Sequence, residues 1–275
     1  MAREQRAARP LPQPDHLHGA AGQGPQRVIP SPLPAQSPGA VPVPGLWVTV
    51  LGPAALAAVL ADATTRPQWL GVDLQHGEIG WPDVPHLLRC AELHDTPVLI
   101  RTADHSPAAI GRALDLGARG VVVPAVESAE QAAAVVAATR FAPAGTRSDG
   151  YRRPQARPAA LPALPGLPDP LVLPMVETAA GLGAAAGIVG TDGVSGVFVG
   201  PIDLARSSGW RPDGPELTAA VAGLSALTRS EQRLLAMFAL SPEHAAMLPP
   251  LDLVALGTDL GLLGTAVSRT FGASR

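Results

Sequence analysis

Residues 69–80, WLGVDLQHGEIG, begin like a buried β-strand and end in a polar cluster. The apolar start runs to Val72, and Asp73, His76 and Glu78 follow within the next six positions. Only 16% of the chain is charged, so this density of polar groups is unusual for it. An apolar run that ends in this way is typical of a parallel strand whose carboxyl end faces a site.

The same arrangement recurs along the chain. Eight apolar runs alternate with alanine-rich helical segments, among them one predicted over 178–189 and a last one near 259–271. The runs are LWVTVL (46–51), WLGVDL (69–74), PVLIR (97–101), GVVVP (120–124), LVLPMV (171–176), GVFVG (196–200), RLLAMFAL (233–240) and LDLVAL (251–256). Eight such units predict an α/β protein, a (β/α)8 TIM barrel. A doubly wound open sheet is the alternative, but the first strand-to-helix turn lacks its G-x-G-x-x-G motif.

Two segments depart from this rhythm. Residues 1–44 contain ten prolines and no hydrophobic period, which predicts a disordered, proline-rich tail. The barrel domain is predicted over residues 45–275, and the proline-rich stretch 141–170 within it predicts a long loop. Neither a secretory signal nor an apolar run long enough to span a membrane is present. We therefore expect a cytoplasmic protein.

Composition excludes several kinds of partner and mechanism. A net charge of −3 and an aromatic content of 3% argue against a nucleic-acid or membrane-surface partner. The single cysteine excludes an internal disulfide. All 20 basic residues are arginine, so a catalytic lysine that forms a Schiff base is impossible.

Polar side chains follow several of the predicted strands. Asp73 and His76 follow the second strand, Arg101 ends the third, Glu177 follows the fifth and Asp203 follows the sixth. Each has an ordinary structural explanation, such as Asp73 capping the turn after its strand. The carboxyl ends of barrel strands meet at one mouth, however, so we expect these groups to converge there. Carboxylate oxygens suit a divalent ion, and imidazole suits proton transfer near neutral pH.

These segments identify a resemblance. The chain resembles the HpcH/HpaI aldolase family, the class II pyruvate aldolases, through WLGVDLQHG, PVLIR, PMVETAAGL, GVFVGPIDLARSSG and DLVALGTDLGLL. The D-L-Q-H-G and V-G-P-x-D-L segments are the specific ones. The resemblance implies a TIM barrel and a carbon–carbon lyase that cleaves a 4-hydroxy-2-oxo acid into pyruvate and an aldehyde through a pyruvate enolate.

The resemblance also implies roles for particular residues. It implies that Glu177 and Asp203 hold a divalent ion, which would be Mg²⁺, Mn²⁺ or Co²⁺. His76 would be the general base, Arg101 would stabilise the transition state, and Asp115 would raise the basicity of the histidine. Since Asp115 ends a helix, it is expected at the opposite end of its own barrel and would have to act on another subunit.

The substrate site is implied as well. Backbone groups around Met175 and Ile202, with Asp203, would line it, and the amides of Ile202 and Asp203 could receive a carboxylate at the start of a helix. The resemblance implies a homo-oligomer, a trimer or a hexamer, in which the last helix packs on a neighbour. Two other functions stay open, an acyl-CoA lyase of the citrate lyase β type and a barrel that binds 2-oxo acids without turnover.

Overall fold

The chain forms a closed barrel of parallel strands surrounded by helices. The computed structural model describes residues 42–62, 66–148 and 170–272. In these residues eight strands pair in sequence order, β1 to β8, and β8 pairs with β1 to close the barrel. The predicted (β/α)8 fold is therefore confirmed. The tail predicted over 1–44 lies outside the described residues up to residue 41, and so does the predicted loop from 149 to 169.

The strands are β1 (Val43–Val48), β2 (Trp69–Asp73), β3 (Val98–Arg101), β4 (Gly120–Val123), β5 (Leu171–Val176), β6 (Gly196–Val199), β7 (Leu234–Phe238) and β8 (Leu253–Thr258). The helices are α1 (Pro53–Asp62), α2 (Val84–Leu93), α3 (Pro107–Asp115), α4 (Ala129–Thr139), α5 (Ala179–Gly183), α6 (Ala185–Val189), α7 (Pro201–Ser208), α8 (Pro215–Ser230), α9 (Pro242–Met247) and α10 (Asp259–Phe271). Within the described residues, none of these helices is both long and apolar enough to cross a membrane.

Alternation along the strands places the site residues. Side chains of a strand point alternately to its two faces, so every second residue enters the barrel. On β2 the inward residues are Trp69 and Gly71, and the next in this series is Asp73. Position 71 requires glycine, because a Cβ added there would collide with the ring of Trp47. Large aromatic rings thus fill the middle of the barrel, and polar groups lie at the carboxyl ends of its strands.

The outward residues of the strands form the main core with the helices. Val72, Ile100, Val121, Val172 and Val197 belong to this apolar cluster and are almost fully buried. Strands buried on both faces need the nearly continuous apolar sequence from which they were predicted.

Several boundaries differ from the prediction, among them β7, predicted over 233–240, and β8, predicted over 251–256. The first strand covers Val43–Val48 and not 46–51, because the amides of Thr49, Val50 and Leu51 donate to the carboxylate of Asp259 and not to a neighbouring strand. The helix predicted over 178–189 is two short helices that meet at Ala184. The predicted start of the barrel domain at residue 45 falls inside β1.

Candidate active site

A cavity of about 400 Å³ opens at the carboxyl ends of the strands. Ordinary small-molecule sites begin near this size, and active sites of such barrels lie at this end. Polar and charged groups form its upper wall and aromatic rings its floor. The lining residues are Trp47, Thr49, Asp73, His76, Arg101, Met175, Glu177, Phe198, Gly200, Pro201, Ile202, Asp203, Arg206, Phe238 and Thr258.

Asp73 and Arg101 form a buried ion pair in this cavity. The two residues are register partners on β2 and β3. Arg101 Nε donates to Asp73 Oδ1 at 2.9 Å, and Arg101 Nη2 donates to Asp73 Oδ2. Arg101 also lies over the ring of Trp47, 5.4 Å from its centroid. The guanidinium is therefore held in one orientation, and Arg101, which lines the cavity, has further donors beyond those two.

Asp73 accepts further hydrogen bonds from its own turn and from Trp47 on β1. The amides of Gln75 and His76 donate to Oδ1 at 2.9 and 3.1 Å, and Trp47 Nε1 donates to Oδ2 at 3.3 Å. Burial alone raises the pKa of Asp73, but the bonds and charge of Arg101 with the two amides outweigh it and lower the pKa. The carboxylate is therefore ionised, and it both caps the turn before His76 and orients Arg101.

Glu177 is the second buried acid of the site, after Asp73. It is 6% exposed, and its Oε1 accepts the amide of Ala125 at 2.7 Å. Burial raises the pKa of Glu177, and the nearby negative charge of Asp203 raises it further. The hydrogen bond from the amide of Ala125 and the positive charge of Arg101 lower the pKa but do not outweigh burial. Ala125 has a φ of 51°, a left-handed backbone conformation that residues other than glycine seldom adopt. This strained turn aims the amide at Glu177.

Asp203 reaches the same cavity from the first turn of α7. Gly200 precedes the helix and Pro201 opens it, where a missing amide hydrogen costs nothing. The Asp203 side chain is about half exposed, and its Oδ1 lies 3.7 Å from Arg206 Nη1. Asp203 therefore faces solvent at the mouth, whereas Glu177 lies deeper.

The chemistry of this donor set fits a divalent ion. Within the described ranges no three His, Cys, Asp or Glu side chains are grouped to bind a metal. Two carboxylates are nevertheless what Mg²⁺ commonly receives from a protein, with water and substrate oxygens completing its shell. A Cβ at Gly200 would lie 2.9 Å from Glu177 Oε2, so glycine leaves that oxygen accessible. A cation between Glu177 and Asp203 would also relieve their mutual repulsion.

The other predicted residues divide between the cavity and the far end of the barrel. His76 lines the cavity and is exposed, and Met175 and Ile202 line it as well. Asp115 ends α3 and does not line the cavity. It accepts a hydrogen bond from Arg147 Nη2 at 2.7 Å. Thus the structure brings His76 to the predicted acids and to Arg101, but leaves Asp115 away from them in its own subunit.

Several site features were not predicted as functional. Asp73 was expected at the mouth, but its pairing with Arg101 was not predicted, although both residues end strands that are consecutive in sequence. Ala125 carries no sequence signal, because its contribution is a backbone amide. Arg206 follows Asp203 by three residues, a spacing that puts two side chains on one helix face and could have indicated it.

Comparisons with known proteins identify relatives of this chain. A profile of the family described as HpcH/HpaI aldolase/citrate lyase matches residues 45–267. The hydroxypyruvate/pyruvate aldolase of Chromohalobacter salexigens is 32% identical over 215 residues, which cover 76% of this chain and 85% of that protein. The 4-hydroxy-2-oxo-heptane-1,7-dioate aldolase of Salmonella dublin is 31% identical over 248 residues, covering 84% and 90%.

A solved structure shows the same likeness. The crystal structure of an HpcH/HpaI aldolase/citrate lyase family protein from Burkholderia cenocepacia J2315 superposes with a TM-score of 0.71 at 27% identity. The match covers 84% of this chain and 94% of that one. On its sequence and on its fold, this chain belongs to the HpcH/HpaI aldolase/citrate lyase family.

Proposed function

We propose that this chain is a class II pyruvate aldolase, a lyase that cleaves a 4-hydroxy-2-oxo acid into pyruvate and an aldehyde. Relatives of the chain carry the names of pyruvate aldolases and 4-hydroxy-2-oxo acid aldolases. The observation that carries the proposal is that Glu177, Asp203, His76 and the Asp73–Arg101 pair line one cavity. This set combines a divalent-ion site, a proton acceptor and a guanidinium.

Glu177 and Asp203 would hold the divalent ion, for which Mg²⁺, Mn²⁺ and Co²⁺ are the candidates. When bound, the ion supplies Lewis-acid polarisation of the 2-oxo group. The family relationship supports metal dependence. The absence of lysine supports it too, because an aldolase that forms a Schiff base requires one.

His76 would be the base. Its imidazole takes the proton from the C4 hydroxyl, the C3–C4 bond breaks, and C4 becomes the aldehyde carbonyl. The electron pair of the broken bond enters the enolate of pyruvate, which takes a proton from water at C3 to give pyruvate. The exposed position of His76 at the cavity mouth lets a proton leave to solvent.

Arg101 would stabilise the enolate oxygen. Two of its donors are bound by Asp73, so the remaining N–H groups are presented to the cavity in a fixed orientation. Donors that are already aimed at a developing charge need no reorganisation during the reaction. The substrate carboxylate would be received by the amides of Ile202 and Asp203 in the first turn of α7, with Met175 beneath it.

The active enzyme is proposed to be a homo-oligomer, a trimer or a hexamer. Helix α10 exposes a row of large apolar side chains, and an apolar surface of this kind usually marks an interface. The exposed side chains are Leu260, Leu262, Leu263, Val267 and Phe271. Assembly would also allow Asp115, which lies outside the cavity of its own chain, to reach His76 of a neighbouring subunit.

The test is pyruvate release from a panel of 4-hydroxy-2-oxo acids, measured by coupled reduction of the pyruvate formed. A class II aldolase releases pyruvate and aldehyde in equal amounts. Cleavage of acyl-CoA substrates without activity on the panel would instead indicate the lyase of the citrate lyase β type. Binding of 2-oxo acids without any turnover would indicate a binding protein.

A further inference from the structure

Arg206 lies at the mouth of the cavity with no assigned role. It sits on α7, three residues after Asp203, and lines the same cavity. Its side chain is 79% exposed, and the partner it has there is Asp203, at 3.7 Å. Such a long, exposed pair within one helix contributes little, so the guanidinium can be recruited by a ligand.

The cavity holds a second guanidinium, but that one is already bound. Arg101 has a side chain only 10% exposed and is joined to Asp73 by two hydrogen bonds. Among the described residues that line the cavity, Arg206 is therefore the guanidinium outside the buried pair, and the free donors of Arg101 are already proposed for the enolate oxygen. The position of Arg206 near solvent also means that little desolvation cost opposes its contact with a substrate group.

The position of Arg206 along α7 indicates which part of the substrate it meets. The first turn, with Ile202 and Asp203, would receive the 2-oxo acid end. Arg206 lies about one helical turn further on, ~5.4 Å along the axis. The cavity floor is closed by the rings of Trp47 and Phe198, so a substituent on C4 of the substrate must extend toward the mouth.

We propose that Arg206 is a specificity-determining residue that binds an anionic group, carboxylate or phosphate, on the aldehyde half of the substrate. The proposal rests on the aldolase function proposed above. Arg206 reaches outward from the metal-ligand turn of α7 to the distal end of the substrate. An ion bound by Asp203 would draw that carboxylate away from Arg206 and leave the guanidinium for the substrate anion.

The kinetic test is the aldol reaction of pyruvate with matched aldehydes. An aldehyde ending in a carboxylate, one ending in a phosphate and a neutral aldehyde of the same length are compared by kcat/KM. In Arg206→Gln the ratio of anionic to neutral kcat/KM should fall about two- to five-fold, the size expected for one ion pair at a solvent-exposed position. The anionic aldehyde whose kcat/KM ratio falls more identifies carboxylate or phosphate as the group that Arg206 binds.

Arg211→Gln is the matched control, since this exposed arginine pairs with Asp213 outside the cavity. It should keep the wild-type ratio. If Arg206→Gln lowers kcat/KM equally for the anionic and the neutral aldehydes, the proposal is overturned and Arg206 acts through Asp203. An unchanged ratio would overturn it as well.

A binding measurement separates this proposal from the aldolase function. Calorimetry with Mg²⁺ compares 2-oxoglutarate with 2-oxopentanoate, which differ by the terminal carboxylate. Wild type should bind 2-oxoglutarate about two- to five-fold more tightly, and Arg206→Gln should lose most of that preference. If no aldehyde is turned over, the aldolase function fails, while the calorimetric comparison still decides Arg206. Equal affinities in the wild type would overturn the role of Arg206.

Discussion

Asp73 and Arg101 end neighbouring strands at the same register and are joined by two hydrogen bonds in a buried position. A two-point bond of this kind fixes the plane of the guanidinium as well as its place. The turn that carries His76 depends on the same carboxylate, because its amide donates to Asp73 at 3.1 Å. One carboxylate thus sets the positions of two groups with different proposed roles, the arginine and the histidine.

Removal of either partner of this pair should be costly. Asp73→Ala and Arg101→Ala should each lower the free energy of unfolding by about 3–5 kcal/mol, because each leaves a buried charge unpaired. The double variant should lose less than the sum of the two losses, since neither charge then remains. Urea unfolding of the four proteins measures this, and additive losses would mean that the two side chains stabilise the fold independently.

His76→Ala should lower kcat by about 10²–10⁴-fold and change the affinity for pyruvate little, as expected for loss of a general base. His105→Ala is a suitable control, because His105 is exposed and does not line the cavity. Steady-state kinetics with calorimetric pyruvate binding check both. A variant lacking His76 that keeps a kcat near that of the wild type would place the base elsewhere.

Asp259 should give the fold a dependence on pH in the acid range. Burial alone raises the pKa of Asp259, but hydrogen bonds from Thr49, Val50 and Leu51 outweigh it and lower the pKa below its ordinary value. The stability it contributes is present above the unfolded pKa and is lost as pH falls through the folded pKa. Tm measured from pH 7 into the acid range should therefore fall less in Asp259→Asn than in the wild type.

The same substitution has a cost at neutral pH. An amide cannot accept all the hydrogen bonds that the two oxygens of Asp259 receive, so at pH 7 the variant should be less stable by about 1–3 kcal/mol. If the wild type and Asp259→Asn have parallel Tm curves from neutral to acid pH, the carboxylate is not the source of the acid sensitivity.

Mixed oligomers test the site proposed to be shared between subunits. His76→Ala and Asp115→Ala should each be nearly inactive alone. Unfolding and reassembling them together should restore activity, because some interfaces then contain an intact His76 and an intact Asp115. Light scattering checks that assembly occurred. A fully active wild-type monomer, or no recovery in a mixed oligomer of normal size, would rule out the shared site.

The placement of the acids could be predicted because it follows from periodicity. Glu177 ends the series of inward residues on β5, and its apolar neighbours marked that strand at its observed bounds. Likewise α10 was predicted near 259–271 and covers these residues. A buried parallel strand and a capped helix each carry their signal locally, so one sequence is enough to locate them.

The rest depends on contacts between distant parts of the chain. Asp259 binds Thr49 across 210 positions and ends β1 early, and neither residue indicates the other in sequence. Ala125 acts on Glu177 through a backbone amide, which every residue except proline has. The role proposed for Asp115 would depend on another subunit. Such contacts form only in the folded barrel, so the sequence alone does not show them.

The most direct test of the central claim is pyruvate release by metal-free enzyme to which Mg²⁺ is returned. Wild type stripped with a chelator should be inactive, and Mg²⁺, Mn²⁺ or Co²⁺ should restore its turnover. Glu177→Gln and Asp203→Asn should stay inactive at every metal concentration while keeping a folded barrel by circular dichroism, and Glu231→Gln, at an exposed turn, should behave like wild type. Full activity of the wild type in excess chelator, with no metal in the protein by elemental analysis, would contradict the account.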